Sequence, residues 1–393
     1  MIVIKNGRLI DAKESIQADI LLSDGKITAI GENLEADQVI DARGKVVMPA
    51  FIDCHVHFRD PGFTQKEDLA SGSRSALRGG YSTVTLMANT NPVVDNNETY
   101  EKIMKKAEEI GLIHIIQNYA VTKNLAGQEE VDLENLPETV KFISDDGHGL
   151  HKNKETFELF QKLKELDLAI MIHEEDKDLS QIDYRYAEDV HTMRDVYFSG
   201  KTGARVHFCH VSTIDSAKAV EYGKSQDYPV TMEVTPHHIY MTDNDFKVHP
   251  PIRAEEDRRY LIDAIIRGTV DCIATDHAPH QPEDKAKGAP GMIGLETAFQ
   301  IVYKVLVEEY GKDLQLVSKM MSEGPAKILG LKKGRLQVGW DADLVIVDLD
   351  QQVTISEDSI QSKSKNSPFI GETFTGVIEK TIVDGQVKYG GED

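Results

Sequence analysis

The chain predicts an α/β fold, a (β/α)8 TIM barrel carrying a small β-sandwich built from both chain ends. Three observations carry this expectation. Short strands rich in β-branched residues recur eight times through the middle of the chain with helical stretches between them. Both ends read as all-β. Five of the apolar runs of the middle end in histidine or aspartate.

The first 49 residues alternate strand-like pieces with turns: MIVIKNG, ADILLS, KITAIG and GKVVMP, with Asp24-Gly25 between the second and third. Asp-Gly between apolar alternations signals a hairpin, because both positions tolerate positive φ. The tail has the same style in DADLVIVDL, VTI and TGVIEKTIVDGQVKY, with a second hairpin at Asp384-Gly385. Neither end has enough strands to close a core alone. Residues 1–49 and 335–393 are therefore expected to pair into one β-sandwich domain, with the barrel domain, 50–334, inserted between them.

The eight middle strands are read in VMPAFIDCHVH, YSTVTLMANT, HIIQNYAVT, VKFISDD, LAIMIHEE, ARVHFCHVS, PVTMEVTPH and VDCIATDHA. Intervening segments carry a helical apolar stripe, as in Ile103, Met104, Ala107 and Ile110 ending at Gly111, or Phe157, Phe160 and Leu163. The third connection has the weakest helical pattern.

Composition narrows the function. Of 393 residues 40% are hydrophobic and 28% charged, which suits a large buried core. Forty-four basic against 66 acidic residues give a net charge of −22, a field that repels nucleic acid and anionic membranes. No apolar run approaches the roughly 18 residues of a membrane span. No signal-peptide order is visible at the start, so a cytoplasmic protein is expected. Cys54, Cys209 and Cys272 are widely spaced, which speaks against a disulfide framework.

In such a barrel, function gathers where the strands end. The first strand ends in His55-x-His57, the fourth in Asp145-Asp146, the fifth in His173, the sixth in His210 and the eighth in Asp276. Imidazole and carboxylate are ligands that suit zinc. Residues i and i+2 share a face, so His55 and His57 can bind one metal while Cys54 and Val56 turn to the outer helices, and Cys209 alternates away from His210. A lone H-x-H also occurs in ordinary strands, and a single strand-end histidine is often a satisfied buried one. Six such residues together suit two metal ions sharing one carboxylate. Asp145 or Asp146 must be that bridge, because only one of two neighbours faces inward and the other braces a loop.

Arg59 and Asn89 follow closely. An arginine beside a metal pair is costly unless an anion belongs there, so Arg59 predicts a substrate carboxylate; the alternative is an ion pair with Asp60. His280 opens the loop QPEDKAKGAPGMIG, whose composition fits a mobile lid or an ordinary surface loop.

Taken in order, PAFIDCHVHFRDPG, RGGYSTVTLMANTNPV, ISDDG, IHEED, FCHVST, VTPHH, PPIR, DCIATDHAPH, GLETAF and NSPFIGETF resemble the amidohydrolase superfamily, and within it bacterial dihydroorotases with an aspartate bridge. The resemblance spans nearly the whole chain. It implies two zinc ions per chain, with His55 and His57 on the first, His173 and His210 on the second, Asp146 bridging on its spacing of 27 to His173, and Asp276 on the first metal. It further implies that Arg59, Asn89 and His280 hold the substrate carboxylate and that Asp276 carries the proton. The implied reaction is reversible cyclisation of N-carbamoyl-L-aspartate to L-dihydroorotate in pyrimidine biosynthesis, by a homodimer.

Three departures stand out. His249 occupies the place before Pro-Pro where the family carries Asn against the substrate ring, so ring recognition is expected to differ. The His173–His210 stretch of 37 residues is shorter by about one helix, so the wall there is expected to be thin, disordered or remodelled. The lid's APGMIG lacks an aromatic residue. Two rival readings remain. Hydantoinases, dihydropyrimidinases and allantoinases bridge their metals with a carboxylated lysine, whereas here the only lysine of the fourth strand, Lys141, lies near its start, and they lack an arginine matching Arg59. A non-catalytic scaffold would be expected to have lost metal ligands, and all six are present.

Overall fold

The computed structural model describes residues 1–390. Both chain ends meet in one six-stranded sheet, ordered Gln386–Tyr389, Thr373–Val383, Leu344–Thr354, Val46–Pro49, Arg8–Ile10 and Ser15–Gln17. A four-stranded sheet lies beside it, ordered Lys26–Gly31, Asp19–Ser23, Ile2–Lys5 and Gln38–Asp41. Asp24 and Gly25 take φ of 50° and 71°, and Asp384 and Gly385 take 50° and 72°, the paired positive φ that Asp-Gly tolerates in a tight hairpin. Leu344 and Ile346 point to a core shared with Ile4, Ile20, Leu22 and Ile27 of the smaller sheet. The alternate residues Val345 and Val347 pack instead with Leu77, Phe299 and Val302 of the middle of the chain. Strand periodicity thus lets one sheet bury both faces.

The middle holds two parallel sheets. The first is ordered His114–Gln117, Tyr81–Leu86 and Phe51–Val56; the second is ordered Phe142–Ile143, Ala169–Ile172, Arg205–Phe208, Val230–Val234 and Cys272–Ile273. Isolated parallel bridges pair Tyr119 with Ile143 and Val56 with His277. Burial on both faces explains why these strands read as continuous apolar runs. The helix Asn97–Ile110 starts where Asn96 accepts a bond from the Thr99 N–H (2.9 Å) and stops at left-handed Gly111. The helix Asn153–Glu165 buries Leu159, Phe160 and Leu163.

Three local findings refine the sequence reading. The third connection contains only the short 3-10 turns Lys123–Leu125 and Leu133–Asn135, because Gly127 and Pro137 interrupt any apolar stripe. The segment after the fifth strand is remodelled rather than thin: Asp183 caps a 19-residue helix, Tyr184–Thr202, that runs to left-handed Gly203. Cys54 does not turn to the outer helices. It packs inside with Met171, Cys209 and Cys272, because irregular pairing between Asp53 and Val56 interrupts strict alternation. All three thiols are free and buried.

Candidate active site

A cleft of about 260 Å³ opens beyond the ends of the parallel strands, with His57, Arg59, Asn89, Asp146, His173 and His210 on its wall together with His249, Asp276 and His280. Nine of the ten site residues expected from sequence line it. The tenth, His55, lies fully buried beneath.

Three of the four imidazoles, those of His55, His57 and His173, are aimed by a partner on the far nitrogen. His55 donates from Nδ1 to Glu233 Oε1 (2.9 Å), which leaves the Nε2 lone pair facing Asp146 Oδ1 at 3.4 Å and Asp276 Oδ1 at 3.5 Å. His57 donates from Nδ1 to Asn89 Oδ1 (2.9 Å), and its Nε2 lies 3.1 Å from Asp276 and 3.5 Å from Asp146 Oδ2. His173 is held through Nε2 by Tyr184 Oη (2.9 Å) and Glu175 Oε2 (3.4 Å). Its Nδ1 then lies 2.9 Å from His210 Nε2 and 3.7 Å from Asp146. Two ligand groups result, His55–His57–Asp146 and Asp146–His173–His210, sharing one carboxylate.

These donor atoms fit metal ions. Imidazole nitrogens and carboxylate oxygens converge there, and both His55 Nε2 and Asp146 Oδ1 are buried without a hydrogen-bond partner. The imidazole–carboxylate separations of 3.1 to 3.8 Å bracket the roughly 3.3 Å expected between tetrahedral ligands about 2.0–2.1 Å from zinc. Burial would raise the Asp276 carboxyl, but His57 and the neighbouring imidazoles hold it well below the usual range, so it is ionised. Asp146 is held down in the same way, chiefly by His55 and His210 against the cost of burial. Three residues of the cleft, Arg59, His210 and Asp276, take φ of 58°, 34° and 49°, left-handed values uncommon outside glycine that cluster at working sites.

The two adjacent aspartates separate cleanly. Asp146 enters the cluster, while Asp145 accepts the N–H groups of Val121 (2.6 Å) and Thr122 (3.0 Å) and braces the preceding loop. Arg59 is not paired with Asp60, which takes Lys106 instead at 2.6 Å. Among the described residues no carboxylate lies within 4.0 Å of the Arg59 guanidinium. It bonds only the Pro279 carbonyl (3.4 Å) and His280 Nε2 (3.3 Å), which leaves its charge open to the cleft. Burial and the Arg59 charge push His280 down to about 3, so its ring is neutral. Asn89 braces His57 as well as lining the cleft. His249 lies with its ring 5.0 Å from that of Tyr184.

Several supporting residues escaped the sequence reading. Glu233, fully buried on the seventh strand, accepts from His55, from His207 Nε2 (3.0 Å) and from the His210 N–H (3.2 Å). Its signal was present, since an acid inside an apolar strand needs buried partners. Those bonds outweigh desolvation and bring its carboxyl to about 2. Asn366, in the tail, accepts from the His280 N–H (3.1 Å) and donates to the carbonyls of Ala278 (3.0 Å) and Gly291 (3.1 Å). Tyr184 carried no signal at all, because its distance from His173 depends on how the intervening turn folds.

A model of the amidohydrolase family matches residues 46–388. A protein named dihydroorotase from Clostridium botulinum is 45% identical over 394 residues, covering 99% of each chain. One of the same name from Lactobacillus delbrueckii subsp. bulgaricus is 38% identical over 417 aligned positions, covering 98% of each. Among solved structures, the L-hydantoinase (dihydropyrimidinase) of Arthrobacter aurescens superposes with a TM-score of 0.87 at 28% identity, covering 100% of this chain and 96% of that one. A D-hydantoinase (dihydropyrimidinase) from a Thermus species gives a TM-score of 0.86 at 27% identity, covering 98% and 95%. With strand-end histidines gathered around a shared aspartate and a family match over most of its length, the chain belongs to the amidohydrolase family.

Proposed function

We propose that the chain is a dihydroorotase, interconverting L-dihydroorotate and N-carbamoyl-L-aspartate in pyrimidine biosynthesis. The observation that carries this is a cleft in which a cluster of imidazoles and carboxylates faces the Arg59 guanidinium, which no carboxylate of the described residues reaches within 4.0 Å. The first suits a hydrolytic metal pair, the second a substrate carboxylate. The 45% identity to a protein named dihydroorotase over nearly its full length supports the same reading.

In this reading His55, His57 and Asp276 would hold one zinc ion and His173 and His210 the other, with Asp146 shared between them. When bound, the metal pair polarises the cyclic amide carbonyl and lowers the pKa of water toward about 7. Arg59, Asn89 and the neutral His280 hold the substrate carboxylate and so fix the ring, and His249 faces its rim. In hydrolysis, water adds to the amide carbonyl and the ring C–N bond breaks. Asp276, ionised and 3.1 Å from His57, takes the proton from water and delivers it to the departing nitrogen. In synthesis it accepts the proton of the attacking ureido nitrogen and the carboxyl oxygen leaves as water. Protonation is needed because an amide anion is a poor leaving group.

The same proposal extends to architecture. The bridges Tyr119–Ile143 and Val56–His277 support closure of the two parallel sheets into one (β/α)8 barrel over 50–334. The core shared by the two end sheets supports a β-sandwich domain from 1–49 and 335–393. We further infer a cytoplasmic homodimer; no described helix is long and apolar enough to cross a membrane.

A hydantoinase-like activity is favoured by the superposing structures. It is opposed by Asp146 at the bridge and by Arg59. Assaying purified protein of known metal content on L-dihydroorotate, hydantoin and allantoin separates the two. Turnover of dihydroorotate alone is expected. Turnover of hydantoin instead, or of nothing at full metal occupancy, would overturn the proposal.

A further inference from the structure

Lys285 lies in the short helix Pro282–Ala286 of the loop that follows His280, and its side chain is half-buried. Among the described residues no carboxylate lies within 4.0 Å of its ammonium. An ammonium carries three N–H donors, and here each has a backbone acceptor: the carbonyls of Lys247 (2.9 Å), Ala289 (3.0 Å) and Gly291 (2.9 Å). The centre of the Phe246 ring lies 4.4 Å from the same nitrogen, within cation–π range. The charge is therefore spent on holding the main chain.

The three carbonyls belong to separate limbs of the chain. Ala289 and Gly291 lie on the return limb of the loop, whereas Lys247 stands two residues before His249. The network closes on itself, because the Gly291 N–H donates to the same Lys247 carbonyl (3.0 Å). The Gly291 carbonyl also accepts from Asn366 (3.1 Å), and Asn366 in turn accepts the His280 N–H (3.1 Å). Gly291, His280 and His249 all line the cleft. At Gly291 φ is 122° and a Cβ would lie 2.7 Å from that of Ala278 and 3.3 Å from the His280 ring, so its backbone is pressed directly against the wall of the site. Of residues 281–291 only Gly291 is buried. Apolar packing thus does little to fix the loop, and polar bonds such as those of Lys285 must do so.

We propose that Lys285 is a positioning residue for the substrate: its ammonium fastens the loop 281–291 to the segment bearing His249 and so sets Gly291, His280 and His249 in place. The inference rests on the dihydroorotase reading above and adds the residue that holds the binding loop in register. Its bonds go to none of the metal-ligand groups, so removing it changes substrate binding and leaves the metal centre as it is.

Lys285→Met keeps the stem and removes the three donors. In the metal-loaded protein it is expected to raise KM for L-dihydroorotate about 10-fold, with kcat within about twofold and metal content unchanged. A protease that cuts after glutamate is expected to cleave at exposed Glu283 about 10-fold faster than in the wild type, read by mass, because the loop opens locally. Lys285→Cys treated with 2-bromoethylamine rebuilds an ammonium at the same reach, and the three native thiols are buried, so the reagent adds once. Its KM and cleavage rate are expected to return toward those of the wild type. A KM unchanged in Lys285→Met, or one that alkylation of Lys285→Cys leaves as high as in Lys285→Met, would overturn the inference. A wild type that turns over no dihydroorotate, with cleavage rates that still follow the ammonium, would instead overturn the dihydroorotase reading and leave the anchoring of the loop standing.

Discussion

His55 offers its Nε2 lone pair because Glu233 takes the proton on the other nitrogen, and Glu233 is itself saturated by His207 and the backbone of His210. Glu233→Gln replaces an acceptor-only group with one that also donates, so one histidine loses its partner. Metal affinity is expected to fall about 10- to 100-fold, read by chelator competition; unchanged affinity would remove Glu233 from the support of the site. Asp276→Ala removes the proton carrier and is expected to lower turnover at least 10²-fold with the fold intact by circular dichroism. Wild-type-like turnover would exclude Asp276 from the mechanism. Arg59→Met is expected to raise KM for dihydroorotate with metal content unchanged. An unchanged KM would refute the carboxylate role.

At the scale of elements, the loop after His280 is tied down by the tail through Asn366, and by Lys285, which donates to the carbonyls of Lys247 (2.9 Å), Ala289 (3.0 Å) and Gly291 (2.9 Å). The polar, Gly- and Pro-rich composition announced a loop. The Asn366 bonds that help fix it span 75 to 88 positions. Helix ends respond to pH in a calculable way. Asp68 caps the helix Leu69–Arg78, accepting from the Ser71 N–H at 2.7 Å. Partial burial opposes ionisation, but Lys363 and that cap bring its carboxyl from 3.8 to about 2. A depressed carboxyl stabilises the fold above its unfolded value and ceases to as pH falls through its folded one. Asp68→Ala is expected to cost about 1 kcal/mol near neutrality by urea unfolding, and the difference from wild type is expected to shrink as pH drops from about 4 toward 2. A pH-independent difference would mean that the charge contributes nothing.

For the whole molecule, the core between the two end sheets is separate from the cleft. Leu22, buried there with Ile4 and Leu344, touches none of the site residues. Leu22→Ala is expected to destabilise by about 2–5 kcal/mol, seen as a lower Tm, with kcat per metal-loaded chain unchanged. A fall in kcat at the permissive temperature would show that the end sheets position the site. One face of the six-stranded sheet serves that core while the other packs on the parallel strands and their helices. The tail segment carrying Asn366 then reaches over to the loop around His280.

The sequence by itself determined the elements and the ligand types. Asp-Gly fixed both hairpins, β-branched runs marked the eight strands, and histidines and aspartates at their ends announced the chemistry, because turn propensity, side-chain volume and ligand identity are local properties. Tertiary structure alone decided which of Asp145 and Asp146 turns inward, where irregular pairing sends Cys54, that Glu233 orients His55, and that Arg59 is left without Asp60. Each of these depends on strand register or on a partner far along the chain. The 37-residue step between His173 and His210 taught the same lesson: its length suggested a deficient wall, and the fold spends it on one long helix that brings Tyr184 to His173. Which residues meet across such distances follows from packing, and packing is not written in spacing.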